Sequence, residues 1–315
     1  MVFGLLLATG ASLTAGVLVF QVAVLPLMFR YNKTVQRKVV FSNCINFPRN
    51  LNYDSPSSCS VTCGRNLNIE FRSIVDNFLI RLGIWHILPN SEIKDVADLK
   101  TNNTFHELKN SRNPVILYCH GNSNHRASPH RLKIYSVFQE LNFHVVTFDY
   151  RGTAVAANFV SNLEELCQER GSEKLRLPDA LVLEAPFNNL KDEIAKHPLS
   201  KLVSWLPYFK NTFVKPFTDS PDYSFTTDEY LAVVPDLPIL MLHSKGDRVV
   251  PYELAVKLQN KLVQSRKSSS APFTFQTFER EHSIGHNNLC EAKHFKSAIT
   301  DFLRLIEERK KTKQD

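Results

Sequence analysis

Four short clusters in this sequence have residue types suited to acid–base chemistry. His243-Ser244-Lys245-Gly246-Asp247 closes one apolar run and leads into Val249-Val250-Pro251. His282, Ser283, Gly285 and His286 close a later run. His120-Gly121-Asn122-Ser123 and Asp149-Tyr150-Arg151-Gly152 close two earlier ones. An aspartate after a late strand, followed by a histidine after the last one, is the acid-then-base order of a nucleophile–base–acid triad. In such a triad the imidazole takes the nucleophile's proton and later returns it, while a buried carboxylate fixes the ring tautomer and stabilises the imidazolium. Asp247 is the aspartate so placed, and His282 and His286 are the histidines that follow the last strand. Asp247 also fits a cap of the following helix, and His286 competes with His282 and His294. His120 reads as a structural loop histidine, Asp149 and Arg151 as braces of their loop.

These clusters work only if strands carry them to one end of a sheet. In an open parallel sheet, sites form at the carboxyl ends of the strands. Residues 115–119 are a continuous apolar run bounded by Pro114 and Gly121, the pattern of a strand buried on both faces. Further strands are expected over 67–71, 82–88, 144–148, 180–183, 237–242 and 273–278. Helical spacing links Leu132, Tyr135, Phe138 and Leu141, then Ala156, Val160, Leu163 and Cys167, with Gly171 as the stop. Residues 256–263 fall in a helix, and Phe295, Ile299, Phe302 and Ile306 line a last one. Strands alternating with helices predict an α/β fold, a mostly parallel sheet covered on both faces. Residues 190–236 break the rhythm with aromatics and prolines. They read as a lid or cap insertion, or as a loop packed on the core.

The first 29 residues carry no charged side chain. A helical span of a bilayer takes about 20 apolar residues, and Arg30, Tyr31, Lys33, Arg37 and Lys38 supply an aromatic and basic stop. Residues 1–30 are therefore expected to be a membrane anchor rather than a cleaved signal, residues 31–65 a linker, 66–308 the folded domain and 309–315 a basic tail. The positive-inside rule places the body in the cytosol. The sequons at Asn32 and Asn102, and the clustered Cys44, Cys59 and Cys63, favour a lumenal or external one.

The net charge of +7 is held at two flanks. Arg30, Lys33, Arg37 and Lys38 form one cluster, and Arg309, Lys310, Lys311 and Lys313 the other, so the body is close to neutral. No nucleic-acid-binding motif is present, and nucleic acid is not an expected partner. The glycines form no dinucleotide or P-loop pattern and the cysteines no C-x-x-C, so no cofactor or metal is expected.

Residues 114–122, 144–152, 179–188 and 237–251, with Gly83-Ile84-Trp85-His86 upstream, resemble successive core blocks of the family of α/β-hydrolase domain-containing protein 12. The resemblance runs from about residue 66 to 305. It implies an α/β-hydrolase-like fold and a membrane-bound serine lipase acting on lysophosphatidylserine and monoacylglycerols. It places the domain on the lumenal side of the endoplasmic reticulum or outside the plasma membrane. It implies Asp247 as triad acid, His286 as base and the backbone N–H of Asn122 as oxyanion donor.

The family's nucleophile sits in Gly-x-Ser-x-Gly, and no such motif occurs in this chain. Residues 149–152 resemble the exit loop of one strand, and 152–158 resemble the helix after the nucleophile, sharing Gly152. An in-frame omission of the intervening strand and elbow is expected, leaving the sheet incomplete and two strands with unpaired edges. Ser123 lies at the oxyanion position, and Thr153 begins the surviving helix without an elbow before it. Neither is expected to act as nucleophile. The chain is expected to be an impaired or inactive lipase, or a pseudohydrolase that binds lipid or a partner.

Overall fold

The computed structural model describes residues 12–41, 47–72, 77–93, 108–149, 155–220, 225–280 and 284–312. The chain divides into two compact units, one of Phe41–Ala156 and Asn287–Glu308, the other of Met1–Val40, Ala157–His286 and Arg309–Asp315.

The first unit holds a four-stranded sheet in the order β1-β2-β4-β3. Its strands are β1 (Gly64–Arg72), β2 (Leu79–Ile87), β3 (Val115–Tyr118) and β4 (His144–Phe148). β1 and β2 run antiparallel, as do β2 and β4, while β3 and β4 are parallel with Val115 opposite His144. Trp85, Ile87 and Val145 fill the core. Helix Pro129–Glu140 starts with proline at its first position, where no N–H is needed. It buries Ile134, Tyr135, Val137 and Phe138, and the Tyr135 hydroxyl meets Thr147 Oγ1 of β4 at 3.0 Å. Residues 47–63, inside the expected linker, carry a 3-10 turn at Pro56–Cys59 and bury Cys59 and Val61.

The expected burial of 115–119 on both faces does not hold. β3 is the outer strand of its sheet, and Val115 and Leu117, on one face, are 48% and 52% exposed. Among the described residues only β4 pairs with it. An apolar run of four or five residues reports strand propensity but not what covers the strand.

The second unit holds three parallel strands in the order β5-β6-β7: Leu181–Glu184, Ile239–Ser244 and Phe273–Phe278. Every residue of central β6 is buried, which explains its unbroken apolar sequence. Helix Tyr252–Ser265 crosses from β6 to β7 with Leu254, Leu258 and Leu262 buried at a spacing of four. Helix Leu163–Arg170 ends at Gly171, whose φ of 58° is the left-handed cap that glycine adopts without strain. Among the described residues β3 and β5 are each paired along one edge only, as are β1 and β7 at the far sides of the two sheets.

Helix Ser12–Tyr31 is long and apolar enough to cross a bilayer. A second helix, Lys33–Phe41, follows it. Residues 190–236 hold helix Leu190–Lys196, a 3-10 turn Pro198–Leu202, a π-turn Lys210–Val214 that runs into helix Lys215–Thr218, and helix Thr227–Ala232. Phe209, Phe213 and Phe217 are buried within this stretch.

Candidate active site

β6 and β7 are adjacent and parallel, so their carboxyl ends emerge side by side. Asp247 sits in the turn that leaves β6, closed by the bond from its N–H to Ser244 O at 3.2 Å. The Ser244 hydroxyl, fully buried, donates to Ile284 O at 3.0 Å and ties this turn to the segment after β7. That segment delivers His286, whose Nδ1 lies 2.9 Å from Asp247 Oδ2. The second carboxylate oxygen accepts the backbone N–H groups of Val249 and Val250 at 2.8 and 2.9 Å. Asp247 has no exposed side-chain surface, whereas His286 is part-exposed. The carboxylate only accepts, so Nδ1 carries the proton and Nε2 is left as the ring's basic atom.

Burial works against the charge of Asp247. The hydrogen bond and charge of His286, with the two backbone donors, outweigh it and hold the carboxyl below its usual range. For His286, burial disfavours the imidazolium. The bond and charge of Asp247, with the charges of Glu184 and Glu193, prevail and raise its pKa. His243 stands on the other side of Asp247, Nε2 4.0 Å from Oδ2 and Nδ1 3.0 Å from Ser244 O. Burial pushes its pKa down, so it packs there as a neutral ring.

Glu193, on helix Leu190–Lys196, has no counterpart in the sequence reading. It is buried, its Oε2 has no hydrogen-bond partner, and burial first, then the Asp247 charge, raise its pKa to about 7, against the opposing pull of His286. An acid in the first turn of a short helix reads as a solvated residue. Only the fold turns it inward.

Asn122 and Ser123 lie in the other unit, on the loop after β3. Arg131, itself buried, donates to three carbonyls of this loop: His125 O at 2.7 Å, Gly121 O at 3.2 Å and Ser123 O at 2.5 Å. Asp149, at the end of β4, accepts the Arg126 backbone N–H at 2.6 Å and the Arg126 guanidinium, and lies 3.5 Å from His120 Nε2. Burial opposes its charge, but His120 and Arg126 outweigh it and keep the carboxyl below its usual range. The guanidinium of Arg126 stacks 4.6 Å above the Tyr53 ring and 5.0 Å from Trp85. A Cβ at Gly83 would meet Arg126 Nη2 at 2.8 Å, so the Gly83-Ile84-Trp85-His86 motif is the bed on which this arginine lies. Asp149 braces the loop, in the manner its sequence context suggested. Arg126 and Arg131 gave no sequence signal, because basic residues beside a loop normally face water.

Among the described residues no hydrogen bond joins Ser123 Oγ to a histidine. His294 is exposed at the start of helix Phe295–Thr312. His282, Ser283, Arg151, Gly152, Thr153, Asn102 and Cys44 lie outside the described residues.

An aspartate–histidine pair at the ends of neighbouring parallel strands, within alternating strands and helices, defines an α/β-hydrolase-like protein. Curated proteins similar to this chain include lysophosphatidylserine lipases. Lysophosphatidylserine lipase ABHD12 of Rattus norvegicus is 29% identical over 330 residues, covering 91% of this chain and 78% of the relative. That of Danio rerio is 28% identical over 321 residues, covering 89% and 80%. Protein ABHD12B of Homo sapiens is 27% identical over 261 residues, covering 71% and 69%. No protein-family model matches the chain. Among solved structures it is similar to the Pyrococcus furiosus esterase Pf2001, with a TM-score of 0.47 and 16% identity over 82% of this chain and 98% of that one. It is also similar to Est1E from Butyrivibrio proteoclasticus, with a TM-score of 0.42 and 12% identity over 79% and 99%.

Proposed function

We propose that this chain is a membrane-anchored member of the lysophosphatidylserine and monoacylglycerol lipase group that retains the acid and the base but lacks the nucleophile. Asp247 orients His286, and Nε2 of His286 is the base. The Asn122 N–H is the oxyanion donor implied by the resemblance. In the intact reaction a serine hydroxyl adds to the acyl ester carbonyl as its proton passes to Nε2. The imidazolium then protonates the leaving alcohol, and water, deprotonated by the same nitrogen, frees the acyl-enzyme. Among the described residues no serine stands on a strand–turn–helix elbow to supply that hydroxyl, and turnover is expected to fall to a trace.

The observation that carries this reading is the 2.9 Å bond between His286 Nδ1 and Asp247 Oδ2 in a chain without Gly-x-Ser-x-Gly. A second observation supports an omission. The 330 positions aligned with the Rattus norvegicus relative take in only 91% of this chain's 315 residues, so the relative carries residues there that this chain lacks. Helix Ser12–Tyr31 supports the anchor, and the domain is read as lumenal or extracellular.

A serine-reactive fluorophosphonate tests the proposal. The chain as it stands is expected to label at background. Insertion between Arg151 and Gly152 of a relative's segment carrying Gly-x-Ser-x-Gly is expected to restore labelling and lysophosphatidylserine hydrolysis. Strong labelling of the present chain that disappears in Ser123→Ala would overturn the missing-nucleophile reading.

A further inference from the structure

Helix Ser12–Tyr31 and residues 198–217 of the insertion belong to one unit and run side by side. Gln21 Nε2 donates to Leu202 O at 2.5 Å, and Arg30 Nη1 donates to Asn211 O at 3.2 Å. Phe29 packs on Phe213 and Phe217 with ring centroids 5.0 and 5.5 Å apart. The Tyr208 hydroxyl donates to Val22 O. Val22 lies in the π-turn Phe20–Val24, just before Pro26, which has no N–H to give the helix. In lipid every backbone carbonyl needs a donor, and the Tyr208 hydroxyl supplies one to Val22 O at this irregular turn.

The same segment turns large apolar side chains outward. Leu199, Leu202 and Trp205 are 68%, 62% and 60% exposed. Trp205 Nε1 donates to Leu202 O at 3.0 Å, the carbonyl that Gln21 also reaches, so this patch adjoins the apolar helix. Lys201 and Lys210 are exposed and have no acidic partner among the described residues. Lys210 precedes Asn211, the residue Arg30 reaches, so Arg30, Lys33 and Lys210 gather positive charge at one end of the helix. Leucine and tryptophan rimmed by lysine suit the boundary between acyl chains and anionic headgroups. From Gln21 to Arg30 the helix rises roughly 14 Å, and the segment follows it over that whole distance.

We propose that residues 198–217 are seated in the same bilayer leaflet as the helix, with Lys210 beside Arg30 at the phosphates and Leu199, Leu202 and Trp205 deeper, among the acyl chains at the level of Gln21. The proposal rests on the membrane-anchor reading above. The occupant of the patch is phospholipid because the patch extends a helix surface that itself requires lipid. The segment continues directly from the helix that carries Glu193.

The chain contains two tryptophans, and Trp85 is fully buried in the other unit. The full chain is reconstituted in phosphatidylcholine–phosphatidylserine vesicles with and without bromine along the acyl chains. The emission difference between wild type and Trp205→Phe isolates Trp205 without disturbing the core. Bromolipid is expected to cut that component by roughly half, and aqueous iodide to leave it unchanged. Alkaline extraction is run in parallel. A chain that resists extraction but shows Trp205 quenched by iodide overturns the leaflet proposal and leaves the anchor standing. A resistant chain whose Trp205 is quenched by neither reagent also overturns it, and points to a protein partner on the patch. An extractable chain overturns the anchor reading and this proposal with it.

Discussion

Asp247 divides its two carboxylate oxygens between two tasks: Oδ2 meets His286 Nδ1 at 2.9 Å, while Oδ1 binds the turn through Val249 and Val250. The carboxylate is therefore both the partner of the histidine and the cap of the turn. The helix-cap reading of Asp247 does not hold: the N-cap of helix Tyr252–Ser265 is Pro251, and the carboxylate closes only the turn that precedes it.

Replacing Asp247 by Asn removes the charge that raises the His286 pKa, so the His286 titration midpoint is expected to fall. Histidine NMR measures it directly. The linkage has a defined sign. His286 is raised above 6.5, so its share of stability is present below about 6.5 and lost as pH rises through the folded value. Asp247 is lowered below 3.8, so its share is present above that value and lost as pH falls through the folded one. The stability deficit of Asp247→Asn is expected to be largest between about pH 4 and 6.5, at roughly 3 kcal/mol. A deficit independent of pH would contradict the ion-pair account.

Glu193→Gln is expected to act in the opposite direction. The Glu193 carboxyl is raised to about 7, so the folded state holds its proton longer than the unfolded chain. Stability then falls as pH rises from about 4.5 to 7 and stays reduced above that. The glutamine variant escapes this loss and gains up to about 2 kcal/mol near pH 8 over its difference at pH 4. Urea denaturation at both pH values checks it.

Arg131 holds three loop carbonyls from a buried position. Arg131→Ala leaves those acceptors unpaired and is expected to cost about 3 kcal/mol. Arg131→Lys cannot reproduce the fork and recovers only part of that. Thermal unfolding of the pair ranks the three proteins.

Leu117→Lys on the exposed edge of β3 is expected to change stability by less than about 0.5 kcal/mol. It should reduce aggregation, because a charge on an open edge opposes pairing with another chain. Leu240→Ala in fully buried β6 is expected to cost about 3 kcal/mol. Light scattering and thermal melts separate the two effects.

Much of the molecule was legible in one dimension. β6 and β7 fall where unbroken or alternating apolar runs place them, and Phe295, Ile299, Phe302 and Ile306 are the buried stripe of the last helix. Asp247 and His286 stood out because each follows a strand at a position where an open sheet collects its polar groups. Glu193, Arg126 and Arg131 did not, because nothing local separates a buried charged residue from a solvated one. β3 misled for the same reason: its apolar run is genuine, but its cover is not encoded within it.

Local composition and order were enough to establish an α/β chain, a long apolar helix near its start, an acid preceding a base, and the lack of any Gly-x-Ser-x-Gly. These are properties of neighbours along the backbone, which side-chain periodicity and motif spacing express directly. Folding alone decided that Asp247 and His286, thirty-nine positions apart, share a hydrogen bond. Folding also decided that the described strands form two sheets and that the Tyr208 hydroxyl reaches Val22 O in the π-turn of the apolar helix. Such pairings depend on surfaces brought together from distant parts of the chain, and their energies appear only once water has been excluded between them.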